Sequence, residues 1–433
     1  MGSVKYRAVK GTRDLLPPES ERFAATETIA REVFGSHGYG EIRTPILEST
    51  ELFARSVGET TDIVHKEMYT FPDRKGRSLT MRPENTAGVV RALIEQGVQD
   101  LPKPIRLWYG GPQFRYEQPQ AGRYREFHQI GAELIGVASV AGDLELLGML
   151  FVFLRRLGYA GIRARINCVP TGKAREAFSD ALRENLRPQS GGFGSDDRRR
   201  LEQNPLRLFD SKDPAVQTLL KGAPKTLDFL DEKARAHHEE LKRQLPRVGV
   251  DFVEDETLVR GLDYYTLTVF EVTSGSLGSQ DAILGGGRYD NLFAELGGPA
   301  LPAVGFAIGE DRLVAAAPED PRRARALIVV VPDSPDEFVY ALGVSNEIRA
   351  CRPDADVETD FGGRGVVKGL ARAAQVHADP SRHAFAVSGV HVVLLGGRER
   401  EAESVTLKDL ATGQQRTFPR RNLAEELGAA REA

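Results

Sequence analysis

The stretch QFRYEQPQAGRYREFHQIGAEL, residues 113–134, decides the fold predicted for this chain of 433 residues. It has the pattern of a strand, a loop that contains proline and glycine, and a second strand. Because alternate side chains of a strand share a face, Gln113, Arg115 and Glu117 lie together on the first arm. The second arm groups six further residues on one face: Arg123, Arg125, Phe127, Gln129, Gly131 and Glu133. An antiparallel hairpin of these two arms predicts a sheet face crowded with charge.

This charged face has two interpretations. A solvated outer face is the usual explanation for a single alternating hairpin, and the hairpin alone favours it. Gly131 supports the second interpretation, because a glycine in the row leaves room for a group to lie against the sheet. Three arginines beside glutamates would suit a polyphosphate that also carries a hydrogen-bonding base.

Length and composition indicate a globular protein of two or three domains. Hydrophobic residues make up 41% and charged residues 28% of the chain. No apolar stretch is long enough to cross a bilayer, and the N-terminus lacks the apolar core of a signal peptide. Two cysteines, Cys168 and Cys351, are too few for a disulfide framework or a metal cluster. We therefore expect a cytoplasmic protein with no membrane partner, whose net charge of −4 leaves nucleic-acid contacts to local basic surfaces.

Changes in composition divide the chain into segments. The polar residues 172–247, of mixed charge, have the pattern of a helical insertion into a domain made of residues 1–171 and 248–318. The charged, proline-containing residues 319–325 form a linker. Residues 326–433 alternate apolar strands with helical patterns, which predicts an α/β domain with a largely parallel sheet.

A second motif is RGLDYYT at residues 260–266, which we interpret as the start of a strand that continues to Val272. On that interpretation one face carries Arg260, Leu262, Tyr264 and Thr266. A cation and a phenol on one face could bind a small ligand with an anionic end and a polar end. The alternative is an arginine that pairs with a surface carboxylate while the tyrosines pack.

A third motif is TMRPENTAG at residues 80–88. Arg82, Glu84 and Thr86 alternate toward one side before a helix begins. Glu84 and Thr86 could receive an ammonium group, or the segment could be only a helix start capped by Asn85 or Thr86.

Two glycine-containing motifs follow. GFAIGEDRL at residues 305–313 is a strand, a glycine and a helix whose first turn holds Arg312, a planar cation suited to phosphate or to stacking on a base. GGGRYD at residues 285–290 is either a flexible turn or a backbone wall against a ligand. A P-loop, a dinucleotide fingerprint and a zincin motif are all absent from the sequence.

Together these segments resemble the class II aminoacyl-tRNA synthetases, in particular the histidyl-tRNA synthetases. FRYE at 114–117 with Arg123 resembles the second class motif, residues 305–312 the third, and TPILE at 44–48 a less sharp first motif. RGLDYYT and GGGRYD resemble the two histidine-specific signatures, and KGTRD at 10–14 resembles the family's N-terminal opening. The resemblance covers nearly the whole chain, in the family's order.

The resemblance implies an α+β fold: a class II antiparallel sheet flanked by helices (residues 1–171 and 248–318), a helical insertion, and a C-terminal α/β anticodon-binding domain. Within that last domain, GGR at 362–364 and VTLKDL at 405–410 resemble the family. The implied reaction is that of a histidine–tRNA ligase in translation. Histidine attacks the α-phosphate of ATP to give histidyl-adenylate and pyrophosphate, and the histidyl group then passes to the 3′ end of tRNA(His). The implied partners are ATP with Mg²⁺, L-histidine, tRNA(His) and a second copy of the chain.

The resemblance also implies roles for individual residues. Arg115 and Arg260 would be catalytic, at the α-phosphate and the attacking carboxylate. The ATP site would consist of Arg115, Glu117, Arg123 and Arg312. The histidine site would consist of Glu84, Asn85, Thr86, Arg115, Gln129, Glu133, Arg260, Tyr264 and Tyr265, with Glu133 and Tyr264 on the imidazole.

Four positions differ from the family's usual residues: Asn85, Gln118, Glu126 and Asp311. The stretch 378–389 is also longer than usual. The main alternative is a non-catalytic relative that regulates the first enzyme of histidine biosynthesis. Such relatives typically lack the C-terminal domain and have degraded RGLDYYT-like and arginine positions, and this chain keeps both. A nucleotide-binding enzyme unrelated to tRNA would leave the last domain unexplained.

Overall fold

The computed structural model describes residues 6–58, 61, 63–118, 123–274, 282–362 and 365–428. Within these residues the chain divides into two compact units. The first comprises Met1–Asp14 and Thr26–Glu319, and the second comprises Leu15–Ala25 and Asp320–Ala433. The bounds predicted from the sequence for the catalytic domain, the insertion, the linker and the last domain remain predictions.

The strands of the first unit are β1 (Gly40–Glu41), β2 (Leu47–Ser49), β3 (Tyr69–Pro72), β4 (Ser78–Met81), β5 (Ile105–Phe114), β6 (Glu126–Ile135), β7 (Ile162–Val169), β8 (Phe252–Glu254), β9 (Thr266–Ser274), β10 (Ala282–Arg288) and β11 (Ala303–Gly309). An eight-stranded sheet has the order β1-β5-β6-β11-β10-β9-β7-β8. Its central pairs are antiparallel, and its two outermost pairs, β1 with β5 and β7 with β8, are parallel. The short strands β2, β4 and β3 form a separate antiparallel sheet.

The α-helices before residue 319 are α1 (Glu19–Ser36), α2 (Thr50–Val57), α3 (Thr86–Glu95), α4 (Val140–Arg156), α5 (Gly172–Leu186), α6 (Ser195–Gln203), α7 (Pro214–Leu220), α8 (Glu232–Gln244), α9 (Leu292–Glu295) and α10 (Glu310–Ala316). A π-helix spans Ile63–Glu67, and 3₁₀ turns span Val98–Asp100, Arg187–Gly192, Pro205–Asp210, Thr226–Phe229 and Leu245–Val248. The predicted insertion is therefore helical. Its first part has a core cluster of its own around Phe178, Leu201 and Leu208, whereas Leu241 and Leu245 belong to the core of the main sheet.

One face of the eight-stranded sheet packs on α4. Leu146, Leu150 and Phe153 recur at helical spacing on α4 and are fully buried against sheet residues such as Ile130 and Phe270. Because strand side chains alternate, the neighbours of Ile130 on β6 point to the opposite face. That opposite face therefore carries Phe127, Gln129, Gly131 and Glu133, which were predicted to share a face.

The prediction that a strand begins at Arg260 is wrong. Residues 260–265 form bends and turns, and β9 begins only at Thr266. Leu267 has a positive φ of 53°, and the register between β9 and β10 shifts there, so a bulge interrupts the alternation. Tyr264 and Tyr265, which a strand would send to opposite faces, are consequently both buried.

The second unit has the strands β12 (Arg325–Pro332), β13 (Ala355–Thr359), β14 (Val387–Leu395), β15 (Ser404–Asp409) and β16 (Gln415–Pro419) and the helices α11 (Phe338–Cys351), α12 (Val366–Ala378), α13 (Gly397–Glu401) and α14 (Leu423–Glu426). Short 3₁₀ turns span Pro335–Glu337, Pro380–Arg382 and Arg420–Asn422. The strand order is β13-β12-β14-β15-β16. Only the two pairs that β12 makes are parallel, so the expectation of a largely parallel sheet is half right. No described helix in either unit is both long and apolar enough to cross a membrane.

Candidate active site

A cavity of about 420 Å³ opens on the polar face of the eight-stranded sheet. Strands β6, β9, β10 and β11, the start of α10 and the segment before β6 supply its wall. The lining residues are Arg115, Glu117, Arg123, Tyr124, Phe127, Arg260, Glu271, Ile283, Leu284, Gly285, Ala307, Gly309, Asp311 and Arg312. The structure thus brings together five residues that were predicted from three separate motifs: Arg115, Glu117, Arg123, Arg260 and Arg312.

Four arginines make this cavity a site for an anion. Nη1 of Arg123 lies 3.5 Å from a carboxylate oxygen of Glu117. Burial and the neighbouring charge of Arg123 lower the pKa of Arg312, the direction expected where cations gather without enough anions. Arg115 donates from Nε to the carbonyl of Pro83 at 2.8 Å, which fixes its guanidinium near the ring of Phe127. A polyphosphate would relieve the repulsion among these groups.

Arg260 reaches the cavity because the glycine motif on β10 leaves space for it. A methyl group at Gly285 would lie 2.1 Å from Cζ of Arg260, so the guanidinium lies directly on this glycine. Nη1 of Arg260 donates to Glu271, which pairs with Gly285 across strands β9 and β10. The glycines of GGGRYD therefore lie in a strand and do not form a flexible turn. The group that lies against Gly285 is the side chain of Arg260.

The other glycines of the site act in the same way. A methyl group at Gly287 would lie 2.8 Å from the ring of Tyr265, and one at Gly305 would lie 1.6 Å from a carboxylate oxygen of Glu133. The room predicted at Gly131 is filled by the ring of Tyr109, which would lie 2.3 Å from a methyl group at that residue. Each glycine therefore seats one side chain of the site.

Glu133 is the centre of a buried polar pocket. Its carboxylate accepts hydrogen bonds from the hydroxyls of Thr86 at 2.8 Å, Tyr109 at 3.2 Å and Tyr289 at 2.6 Å. Burial raises the pKa of Glu133 to about 8, although these hydrogen bonds oppose the shift. At neutral pH the carboxyl group therefore holds a proton that it can share with a basic nitrogen.

Glu84 and Asn85 lie at the start of α3. The carboxylate of Glu84 accepts from the backbone amides of Thr86 at 2.7 Å and Ala87 at 3.0 Å, so Glu84 caps the helix. The amide oxygen of Asn85 accepts from the hydroxyl of Thr44 at 2.5 Å. Burial raises the pKa of Glu84, against the hydrogen bonds from the two amides. Neither Asn85 nor Thr86 caps α3 with its side chain.

Tyr264, Tyr265 and Gln129 complete the pocket. The rings of Tyr264 and Tyr265 are 4.8 Å apart between centroids, and Tyr264 lies edge-on to Tyr289 at 5.8 Å. The amide oxygen of Gln129 is buried and has no hydrogen-bond partner among the described residues. An unpaired buried acceptor is costly unless a ligand supplies a donor. Gln129 is therefore available to a bound ammonium or amide group.

Three residues of the site were not predicted as ligands from the sequence: Tyr109, Tyr289 and Glu271. Tyr289 stands inside GGGRYD, and Tyr109 shares strand alternation with Gln113 and Arg115, so both had a local signal. Glu271 had none, because its role depends on the pairing of β9 with β10.

The N-terminal opening KGTRD borders the cavity. Arg13 donates to Asp311 at 2.9 Å and lies over the ring of Tyr124 at 4.5 Å. The other oxygen of Asp311 accepts from the backbone amide of His128 at 2.7 Å. Two cavity residues, Tyr124 and Asp311, are thus held by this segment.

Of the other positions that differ from the family's usual residues, Glu126 begins β6 and Gln118 is exposed.

The second unit has a surface cavity of about 520 Å³ between the end of β13 and α12. It is lined by Glu358, Thr359, Asp360, Phe361, Gly362, Lys368 and Arg372. Phe361 is 62% exposed and Val367 is 81% exposed, beside two cationic side chains. The motif VTLKDL lies mostly on β15, and residues 363 and 364 of GGR lie outside the described residues. The stretch 378–389 contains the end of α12, the turn Pro380–Arg382 and the first residues of β14.

A mainly antiparallel sheet that bears an arginine-lined cavity on one face, beside a buried polar cluster, is the arrangement of class II aminoacyl-tRNA synthetases. The histidyl-tRNA synthetase profile matches residues 11–187 and 196–313. The chain belongs to the histidyl-tRNA synthetase family.

Full-length relatives agree with that assignment. A histidine–tRNA ligase of a Synechococcus species is 42% identical over 432 residues, covering 98% of this chain and 99% of the relative. A histidine–tRNA ligase of Nitratidesulfovibrio vulgaris is 44% identical over 430 residues, with the same two coverages. The crystal structure of the apo histidyl-tRNA synthetase of S. aureus superposes with a TM-score of 0.77 at 32% identity and covers 97% of this chain and 99% of its own.

Proposed function

We propose that this chain is a histidine–tRNA ligase that forms histidyl-adenylate from histidine and ATP and transfers the histidyl group to tRNA(His). The observation that carries the proposal is the adjacency of two sites. Arg260 lies in the arginine-lined cavity, and Tyr264 and Tyr265, four and five residues later, lie in the Glu133 pocket. One short loop therefore joins an anion site to a site for a small basic group.

Activation of histidine by ATP develops negative charge next to Arg115 and Arg260. Arg115 and Arg260 hold the α-phosphate and the attacking carboxylate, and negative charge that grows on the phosphate in the transition state meets their guanidinium groups. Arg123 and Arg312 bind the outer phosphates, and Glu117 contacts the adenine. Orientation of two bound substrates in line supplies much of the remaining rate.

Recognition of histidine rests on the buried pocket. Glu133 and Tyr264 pair with the two ring nitrogens of the imidazole, while Glu84, Thr86 and Gln129 receive the α-ammonium group. A polar site of this kind rejects apolar amino acids strongly, because its buried partners would be left without hydrogen bonds. Tyr109 and Tyr289 hold Glu133 in place, and Tyr265 shapes the wall.

Magnesium fits the site as an ion carried by ATP. Mg²⁺ usually takes one or two protein carboxylates and completes its octahedral shell with phosphate oxygens and water. Glu271 and Glu117 line the cavity beside arginines. Among the described residues there is no group of three or more His, Cys, Asp or Glu that could hold an ion alone. With Glu117 at the adenine, Glu271 is the carboxylate that would contact the ion, and the ion would neutralise phosphate charge.

The second unit supports a role in tRNA binding. Exposed Phe361 beside Lys368 offers a stacking surface and a cation to unpaired bases. Arg372 is paired with Glu358 at 2.9 Å. We assign the anticodon to this surface, and we place the protein in the cytoplasm because its tRNA partner acts in translation.

A homodimer is the proposed assembly. Strands β2, β4 and β3 put Leu47, Met81, Tyr69, Leu79 and Phe71 on one face of their sheet. Leu47 is 46% exposed and Phe71 is 41% exposed. An apolar sheet face that stays open in one chain suits a second copy.

Pyrophosphate exchange into ATP, run with each amino acid in turn and without tRNA, tests the activity. Exchange that depends on histidine alone is the expected result. Exchange with no amino acid would favour a regulatory relative of the family, and exchange with a different amino acid would refute the histidine pocket. Subsequent charging of tRNA(His), measured as acid-stable aminoacyl-tRNA, tests the second step.

A further inference from the structure

The loop of residues 260–265 has little internal support. It belongs to no strand, and its hydrogen bonds include that from the amide of Asp263 to the carbonyl of Val57 at 3.3 Å. This loop nevertheless carries Arg260, Tyr264 and Tyr265. A loop that must hold three site residues needs contacts from elsewhere in the molecule.

Those contacts come from the helical insertion. One carboxylate oxygen of Asp263 accepts from Nδ2 of Asn204 at 2.8 Å and from Nε and Nη2 of Arg207, each at 3.2 Å. Asn204 directly follows α6 and Arg207 lies in the turn Pro205–Asp210, so both belong to the insertion. The pair is mostly shielded, since the side chains of Arg207 and Asp263 are 11% and 25% exposed. A paired, shielded charge of this kind resists displacement more than a surface salt bridge does.

A third insertion residue holds the loop backbone. Nη1 of Arg175, on α5, donates to the carbonyls of Asp263 at 3.2 Å and Tyr265 at 3.3 Å. Asp210, in the same turn as Arg207, is among the anionic groups that act on Arg260. The insertion thus contacts the loop at the Asp263 side chain and at the backbone, and Asp210 attracts Arg260 electrostatically.

We propose that the helical insertion positions the 260–265 loop for histidine activation, with Asp263 as the residue through which Asn204 and Arg207 act. The insertion has its own apolar core, so it presents these groups from a rigid support. Asn204, Arg207 and Arg175 are positioning residues in this arrangement, because they contact the loop, and Asp263 is the loop residue that Asn204 and Arg207 hold. This inference rests on the function proposed above only where its test measures histidine-dependent activity.

The test compares Arg207→Ala with Arg187→Ala. Arg187 also lies in the insertion, but it pairs with Glu202 at 2.9 Å on an exposed surface, away from the loop. In histidine-dependent pyrophosphate exchange, Arg207→Ala should lower kcat by about tenfold and raise the KM for histidine, with the KM for ATP little changed. Partial unfolding would lower kcat alone, because it only reduces the amount of active enzyme. Arg187→Ala should match the wild type, and Arg207→Lys should restore part of the loss.

A double-mutant cycle separates a shared contact from two independent effects. If Arg207 acts through Asp263, Arg207→Gln combined with Asp263→Asn should lose little more activity than the worse single variant. Losses that multiply across the two sites would overturn the proposal.

Hydrogen–deuterium exchange supplies a readout that needs no catalysis. Amides of residues 260–266 should exchange faster in Arg207→Ala than in the wild type or Arg187→Ala. Unchanged exchange in this loop refutes the positioning role even if the protein has no synthetase activity. Faster exchange in a protein without histidine-dependent activity would instead refute the proposed function and leave the contact established.

Discussion

At the residue scale, a single buried carboxyl group connects the chemistry of the site to the stability of the protein. Glu133 has an ordinary pKa of 4.5 when exposed and a pKa of about 8 in the folded chain. Between these values the folded chain holds a proton that the unfolded chain releases. Stability contributed by that proton is complete below the lower pKa and is lost as the pH rises through the higher one.

Glu133→Gln should therefore flatten part of the pH dependence of folding. In the wild type the free energy of unfolding should fall from pH 5 to pH 8, by at most about 1.4 kcal/mol for each pH unit and each such proton. Urea denaturation at several pH values measures the slope, and the variant should show a shallower one. Glu32→Gln, at an exposed carboxylate, serves as the control and should leave the slope unchanged. Equal slopes in all three proteins would contradict the assigned proton.

A methyl group at Gly285 should affect activation through Arg260. Gly285→Ala would place Cβ 2.1 Å from Cζ of Arg260, so the guanidinium must leave its position over the strand. We expect the adenylation rate to fall by at least about tenfold, similar to Arg260→His, while histidine binding stays measurable. Gly191→Ala is the matched control, because a methyl group there meets nothing within 4 Å. A rate within a few-fold of the wild type in both site variants would reduce Arg260 to a structural role.

Strand alternation predicted Arg115, Gln129 and Glu133 from the sequence, because each lies in a regular strand or directly beyond its end. The same rule failed at Tyr264 and Tyr265. The bulge at Leu267 and the turn that precedes it depend on contacts with distant residues, which no local pattern records.

At the element scale, α10 carries an unusual buried acid. Both carboxylate oxygens of Glu310 are buried and have no hydrogen-bond partner among the described residues. Burial raises the pKa of Glu310 well above its usual range, and the nearby acids Glu27 and Asp311 raise it further. The helix therefore has to keep this side chain protonated in order to bury it.

Glu310→Gln should stabilise the protein at alkaline pH. The amide has the same shape and no charge, so it removes the cost of holding a proton above the ordinary carboxyl pKa. We expect the midpoint of thermal unfolding to rise by a few degrees at pH 8 and to change less at pH 5. Differential scanning calorimetry at the two pH values measures this. A midpoint lowered equally at both values would mean that the carboxyl makes a favourable contact.

Elements with strong periodicity were predicted closely. The alternation of apolar strands and helical patterns predicted for residues 326–433 matches β12, α11, β13, α12 and β14 in that order. The mixed character of that sheet was missed, because the direction of a strand depends on the length of its connection and β15 follows a short helix.

At the scale of the whole molecule, the order of the motifs carried more information than any one of them. Arg82, Glu84 and Thr86 alone favoured a simple helix start, and Glu84 does cap α3. The hydroxyl of Thr86 also donates to Glu133. This segment therefore both starts α3 and contributes to the pocket. The sequence indicated only the first role, because the second depends on a contact with a distant strand.

The proposed dimer depends on the open face of the three-stranded sheet. Leu47→Asp would put a charge on that apolar face, and burying it against a second copy would be unfavourable. We expect sedimentation velocity to show a dimer for the wild type and mainly monomer for the variant. Val339→Asp, at an 83% exposed position of the second unit, is the control and should sediment like the wild type. A Leu47→Asp protein that stays dimeric would move the interface to another surface. If the monomer also lost pyrophosphate exchange while remaining folded, the sheet of β2, β4 and β3 would link assembly to the neighbouring Arg82–Thr86 segment, which directly follows β4.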